Sequence, residues 1–346
     1  MMPNVIRYLG GLCVAVLTFL ALVSTAAGKV PSGPRLAYAR DGQSLSGEEL
    51  LTTDPLAARS FLIYRHPHAH QSFRHLSWSG DGTRLAFASH GFGLGEWIYS
   101  LSTGGGAPRE VPGTQRGFAP VFSPDGGTIA FARRLFREQS NGGTYLSISI
   151  WLVDSRGGHP RQLTPSRNGL LLTPWSFSPD GTVLLAERAV ELGKGFPEIV
   201  SVPLDGGPLS LLFKDGAEPA YSPDGTAIAF VRPQDTGRVT LPVGRDVPGG
   251  DLFVGNSDGP QLTRLTFTPN RREARPSWDP SGERLAFTQL SAKPTGVAQI
   301  RGTGSSIVEI NADGSCRRRL LFAYGLAYRE AVWQPGPGRE AGRIDC

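Results

Sequence analysis

Phe122-Ser-Pro-Asp-Gly126, followed by the apolar strand Thr128-Ile-Ala-Phe-Ala-Arg133, is the stretch that decides the fold. Variants of it stand at Trp78-Ser-Gly-Asp-Gly82, Phe177-Ser-Pro-Asp-Gly181, Tyr221-Ser-Pro-Asp-Gly225, Trp278-Asp-Pro-Ser-Gly282 and Trp333-Gln-Pro-Gly-Pro-Gly338. The aromatic residues are 44, 55, 44, 57 and 55 positions apart. A period of roughly fifty residues built of strand-like pieces means repeated units that bury their apolar faces against one another. The turn chemistry is that of a tight hairpin: Pro presets φ, Asp tolerates the next position, and Gly takes the left-handed conformation.

Working outward, an alternating strand follows each of the first five turns, as in Arg84-Leu-Ala-Phe-Ala-Ser89 and Arg284-Leu-Ala-Phe-Thr-Gln289. A third strand comes next, such as Ile150-Trp-Leu-Val-Asp154 or Ser306-Ile-Val-Glu-Ile310, then a Gly/Asp turn and a short fourth strand such as Arg161-Gln-Leu-Thr164. Four antiparallel strands per unit make the blade of a β-propeller. The ends complete each other. Arg35-Leu-Ala-Tyr-Ala-Arg40 is a second strand with no aromatic turn before it, and Ala331-Val-Trp-Gln-Pro335 is a first strand with no second strand after it. Pairing them, with Glu49–Thr53 and Phe61–Arg65 as third and fourth strands, removes two open edges. The expectation is an all-β, six-bladed β-propeller of four-stranded antiparallel blades, closed by N- and C-terminal strands in one blade.

The Ser-Pro-Asp-Gly turn, the Ile-Ala-Phe strand and the later Arg-Gln-Leu-Thr together resemble the WD40-like propeller repeats of the TolB family. The resemblance covers nearly all of residues 29–346. It implies the propeller part alone, since TolB proper carries an α/β domain ahead of its propeller and these residues leave no room for one. Some propeller lyases of the same broad repeat type hold a metal with histidines.

Residues 1–28 read as a signal peptide, or as a signal anchor if uncleaved. Arg7 precedes an apolar run from Leu9 to Val23, and Ser24-Thr-Ala-Ala-Gly28 supplies small residues for cleavage. This places the propeller outside the cytoplasm: periplasmic, secreted or on the cell surface. Two of the three cysteines then lie in the exported part, and Cys316 and Cys346 are expected to form a disulfide across the seam between the last and first blades. Arg outnumbers Lys 31 to 4 within a formal charge of +5, and the arginines form no dense stripe of the kind a nucleic-acid footprint favours.

The connections from fourth to next first strand, and from second to third, share one propeller face and are its long segments. Loops over a rigid scaffold carry function. Within Arg65–His75, four of the six histidines fall together. If the segment is extended, His66, His68 and His70 point to one side and are candidate ligands of a divalent metal such as zinc. His75, Arg116, Arg167, Arg271, Arg272 and Arg275 join them as candidate ligand- or partner-binding residues on that face. No His-Glu-x-x-His motif is present. The expected function is therefore a non-catalytic, monomeric binding or scaffold propeller without a cofactor. It would present a site at the channel mouth to a protein or peptide of the cell envelope or to an acidic glycan, and membrane contact would come only through an uncleaved anchor. The alternative is a metal-assisted lyase or hydrolase acting on a polysaccharide or lactone through His66, His68 and His70.

Overall fold

A serine and an aspartate organise each of the first five repeat turns, and the computed structural model makes the wiring visible. It describes residues 35–41, 47–54, 56–57, 59–66, 72–91, 95–138, 144–167, 169–189, 196–240, 246–259, 261–269, 271–291, 304–324, 328–336 and 342–346. In the second copy, Ser123 Oγ donates to Asp125 and accepts from Thr128 N at 2.9 Å, while Gly126 closes the hairpin at φ 69°. The fifth copy exchanges the two residues and keeps the bond: Ser281 Oγ donates to Asp279 at 2.7 Å, and Asp279 accepts from Arg284 N at 3.1 Å. In the sixth, Gln334 replaces Ser and reaches out of its own turn to Gly82 O at 2.6 Å.

The strands of the described residues pair into four sheets, of four, eight, eight and four strands, and each eight-stranded sheet is two four-strand units joined by a parallel bridge. Unit I holds β4 (Ser72–Trp78), β5 (Arg84–Gly91), β6 (Gly95–Ser102) and β7 (Arg109–Glu110). Unit II holds β8 (Gly117–Phe122), β9 (Thr128–Glu138), β10 (Thr144–Asp154) and β11 (Arg161–Gln162). Unit III holds β12 (Leu171–Phe177), β13 (Val183–Ala189), β14 (Glu198–Pro203) and β15 (Ser210–Phe213). Unit IV holds β16 (Ala217–Tyr221), β17 (Ala227–Thr240), β18 (Asp246–Asn256) and β19 (Leu262–Arg264). Unit V holds β20 (Arg271–Trp278), β21 (Arg284–Ser291), β22 (Gly304–Asn311) and β23 (Arg318–Tyr324). Unit VI joins the two ends, in the order β24 (Tyr328–Trp333), β1 (Leu36–Arg40), β2 (Glu49–Thr53), β3 (Ser60–Arg65). Within every unit the strands are antiparallel; single parallel bridges, Ile148 to Leu171 and Gly250 to Arg272, link units II to III and IV to V.

The apolar core lies between units rather than inside one. Phe87, Phe131, Phe230 and Phe287, one on each of four second strands, are fully buried. Each contributes on the order of 2 kcal/mol of burial. Ala37, Ala39 and Leu50 of unit VI pack with Phe73 and Phe87 of unit I, and Tyr38 and Trp333 pack with Ala286 and Ile307 of unit V. First strands touch in turn, β4 to β8 to β12 to β16 to β20 to β24, and β24 touches β4. Cys316 and Cys346 are joined as a disulfide, with Cα atoms 5.2 Å apart. The tail beside it is clasped: Asn311 donates to Ile344 O at 3.0 Å, and Ile344 N donates back at 2.8 Å. Residues 1–34, including the expected signal segment, lie outside the described residues.

Candidate functional site

An innermost strand has a free edge, and the residues around the axis manage it in three ways. First, prolines remove donors: Pro120, Pro219 and Pro276 stand two residues before their aromatics and line the channel. Second, serines bridge to the next unit. Ser77 Oγ accepts from Phe122 N at 2.9 Å, Ser176 Oγ from Tyr221 N at 3.2 Å, and Ser277 Oγ from Trp333 N at 2.9 Å. Third, carboxylates take bulge amides. Every unit has a register shift three residues before the aromatic, and there His75, Ala119, Glu218, Arg275 and Glu330 all adopt positive φ of 50–62°. In unit III that place is Pro174, and the shift passes over Trp175. Non-glycine residues held in this region cluster at functional sites, as β-bulges do.

The bulge residues and their neighbours form one polar layer at the end of a channel of about 520 Å³. Trp175 lies 5.7 Å from the His75 ring and 4.9 Å under the Arg275 guanidinium. These three come from units III, I and V, so the indole joins side chains of units that are not neighbours in the chain. Arg275 pairs with Glu330 at 2.9 Å, and Arg272 with Glu218 at 2.9 Å. Glu218 also accepts from Arg275 N at 2.5 Å, Glu187 accepts from Glu218 N at 2.5 Å, and Glu330 accepts from Leu76 N at 3.3 Å. Burial, and then the neighbouring Glu218, push the Glu187 carboxyl up to about 7. Burial also raises Glu330, against the pull of Arg275. His75 is held well below the ordinary histidine range, by burial first and then by Arg275, Arg74 and Arg134, so its imidazole is neutral at physiological pH. The Trp175 indole N–H and His75 Nδ1 are buried and have no hydrogen-bond partner among the described residues. A second cavity of about 270 Å³ lies on the other side of His75, beside Phe118 and Arg134. Arg134 stacks 4.0 Å over Phe118 and pairs with Glu96.

The residues singled out in the sequence land in different places. His75, Arg272 and Arg275 belong to the axial layer. They sit on strands β4 and β20, not on loops as expected, because the bulges let the first strands continue ahead of the aromatics. His66 is buried and stacks on Phe73 at 4.2 Å, where its ring is packing. His68 and His70 lie outside the described residues. Among the described residues no three His, Cys, Asp or Glu side chains gather as metal ligands. Arg116 and Arg167 are exposed, and Arg271 donates to Gln289 at 2.5 Å. Of the cations on that face, Arg134, Arg272, Arg275 and Arg329 are ion-paired. Trp175, Glu187 and Glu218 were missed. Glu218 could have been found from its place three residues before the aromatic Tyr221; Trp175 and Glu187 stand at other positions.

No family model matches the chain. It is 32% identical over 125 residues to the uncharacterized peptidase YuxL of Bacillus subtilis strain 168, covering 34% of this chain and only 17% of that protein. Among solved structures it is similar to TolB from Acinetobacter baumannii, with a TM-score of 0.64 at 20% identity over 89% of this chain and 68% of that one. A protein assigned as TolB from Agrobacterium tumefaciens gives 0.60 at 20% identity, over 85% and 91%. A chain of the nidogen/laminin complex gives 0.57 at 12% identity, over 89% and 100%. At these identities the likeness is one of fold: the chain folds as a TolB-like β-propeller.

Proposed function

We propose that this chain is an exported six-bladed propeller, closed through its terminal strands, that binds an extended peptide segment of another protein in its central channel without catalysing a reaction. The observation that carries this reading is the end of the channel. There Trp175 and neutral His75 line a bore walled by prolines, and the Trp175 N–H and His75 Nδ1 are buried beside it without a partner among the described residues. A peptide backbone offers alternating carbonyls and amides, which answer both groups once the indole and imidazole turn toward the bore, and a slender chain fits a channel of this volume. Buried polar groups of this kind ordinarily find partners. The propeller likeness to a chain of the nidogen/laminin complex supports protein binding as a use of this architecture. The ion-paired state of Arg272 and Arg275 weighs against a broad acidic-glycan surface. Export rests on the leader read in the sequence and agrees with the Cys316–Cys346 bond.

The test compares mature protein with Trp175→Phe, which keeps the ring and removes the donor, as bait in an extract of the native envelope. One defined protein retained by the wild type and depleted at least tenfold by the variant is the expected result. Equal retention by both proteins sinks the reading.

A further inference from the structure

Away from the axis, the outer seam between units I and II is built differently from its neighbour. In each of five units, the residue after the third strand donates its N–H to a carbonyl just ahead of the second strand; these include Ser155 to Gly127 at 2.9 Å and Leu204 to Thr182 at 3.0 Å. At the seam between units II and III, Leu204 packs with Leu163 and Leu209 on the apolar cluster. At the seam between I and II the equivalent residue is Ser155, and outside the apolar cluster that includes Val111, Phe122 and Val153 there is a groove of about 670 Å³. Strand register puts Arg84 opposite Ser102, and Ser100 opposite Arg109, so all four share the face of unit I that looks toward unit II. Arg84 is fixed in place. It donates to Gly126 O at 2.8 Å and Ser155 Oγ at 3.2 Å, and lies 5.1 Å over the Phe122 ring. Arg109 and Arg156 stand exposed on opposite walls. The lining's one acid, Glu110, is opposite Tyr99 and so belongs to the other face of the sheet.

We propose that this groove is a second binding site, for a tetrahedral oxyanion of the phosphate class, independent of the channel. Three guanidinium groups around a recess lined by Ser100 and Ser102, and also by Ala107, Pro108, Val111 and Pro112, match such a group, because the planar fork of arginine bonds two of its oxygens at once. With no aromatic face offered to a sugar ring, the anionic group itself is what the site recognises. One guanidinium is already held by the seam, so less ordering is lost on binding.

The test is calorimetric titration of the mature protein with inorganic phosphate and, separately, with glycerol 3-phosphate, at physiological ionic strength where diffuse attraction is screened. Arg109 and Arg156 are exposed, so an Arg109→Gln/Arg156→Gln variant retains the fold, which circular dichroism checks. Saturable binding of either probe, weakened at least tenfold in the double variant and unchanged in Trp175→Phe, is expected. The tighter probe tells whether the source is free phosphate or an ester on a larger molecule. Absence of saturable binding of both probes, or binding that survives the double variant, overturns the proposal.

Discussion

Gly80 is where the first repeat departs from Pro, and its surroundings explain the departure. A Cβ at this residue would stand 1.7 Å from the carbonyl oxygen of Pro124, a backbone atom of the next turn. Gly80→Ala should therefore destabilise the protein by about 1–3 kcal/mol, an overpacking cost, read as a lower urea midpoint; an unchanged midpoint would refute the close approach. Glu187 makes a pH prediction. Its folded pKa of about 7 lies above the ordinary glutamate value of 4.5, so the folded state binds the proton more tightly. Its contribution to stability is complete below about pH 4.5 and is lost as pH rises through 7. Glu187→Gln should match the wild type near the lower limit and be more stable at and above neutrality. A melting-temperature difference that does not grow with pH would contradict this. Side-chain identity alone did not mark Glu187, because it sits within an ordinary second strand. Its role depends on a backbone amide that the bulge of the next unit turns toward it.

Whole strands were the most legible level. The second strands could be read from Leu-Ala-Phe and its variants because an alternating pattern has one buried face, and those phenylalanines are indeed fully buried. The joining of Leu36–Arg40 to Tyr328–Trp333 could be read from what each end lacked. The starts of the first strands could not. A bulge inserts a residue without changing composition, so Ser72–His75 and Arg271–Arg275 read as polar loops. The Cys316–Cys346 link belongs to this scale, because it ties the turn before β23 to the tail after β24. With a sequence separation of 30, the chain-entropy relation gives roughly 3–4 kcal/mol. Cys316→Ser/Cys346→Ser should lower the urea midpoint accordingly, and reductant should do the same to the wild type. Identical midpoints in all three samples would show that the Asn311–Ile344 clasp alone holds the tail.

At the scale of the molecule, six similar units place chemically unlike residues at one shared depth. Alanine and proline occupy the bulge position in units II and III, while histidine, glutamate and arginine occupy it elsewhere. The scaffold explains the ring; the unlike residues give the ring one distinctive end. That end is the central functional claim. The channel that this end closes is tested most directly by placing a photoreactive amino acid at Pro179, on the lining near the opposite rim, irradiating cells that make the full chain, and sequencing the adducts. Expected is a covalent adduct to one short segment of a second protein, abolished when Trp175→Phe is combined with the probe. Adducts of unchanged identity and yield in the combined variant, or none beyond those formed by an outward-facing control position, would contradict peptide binding in the channel.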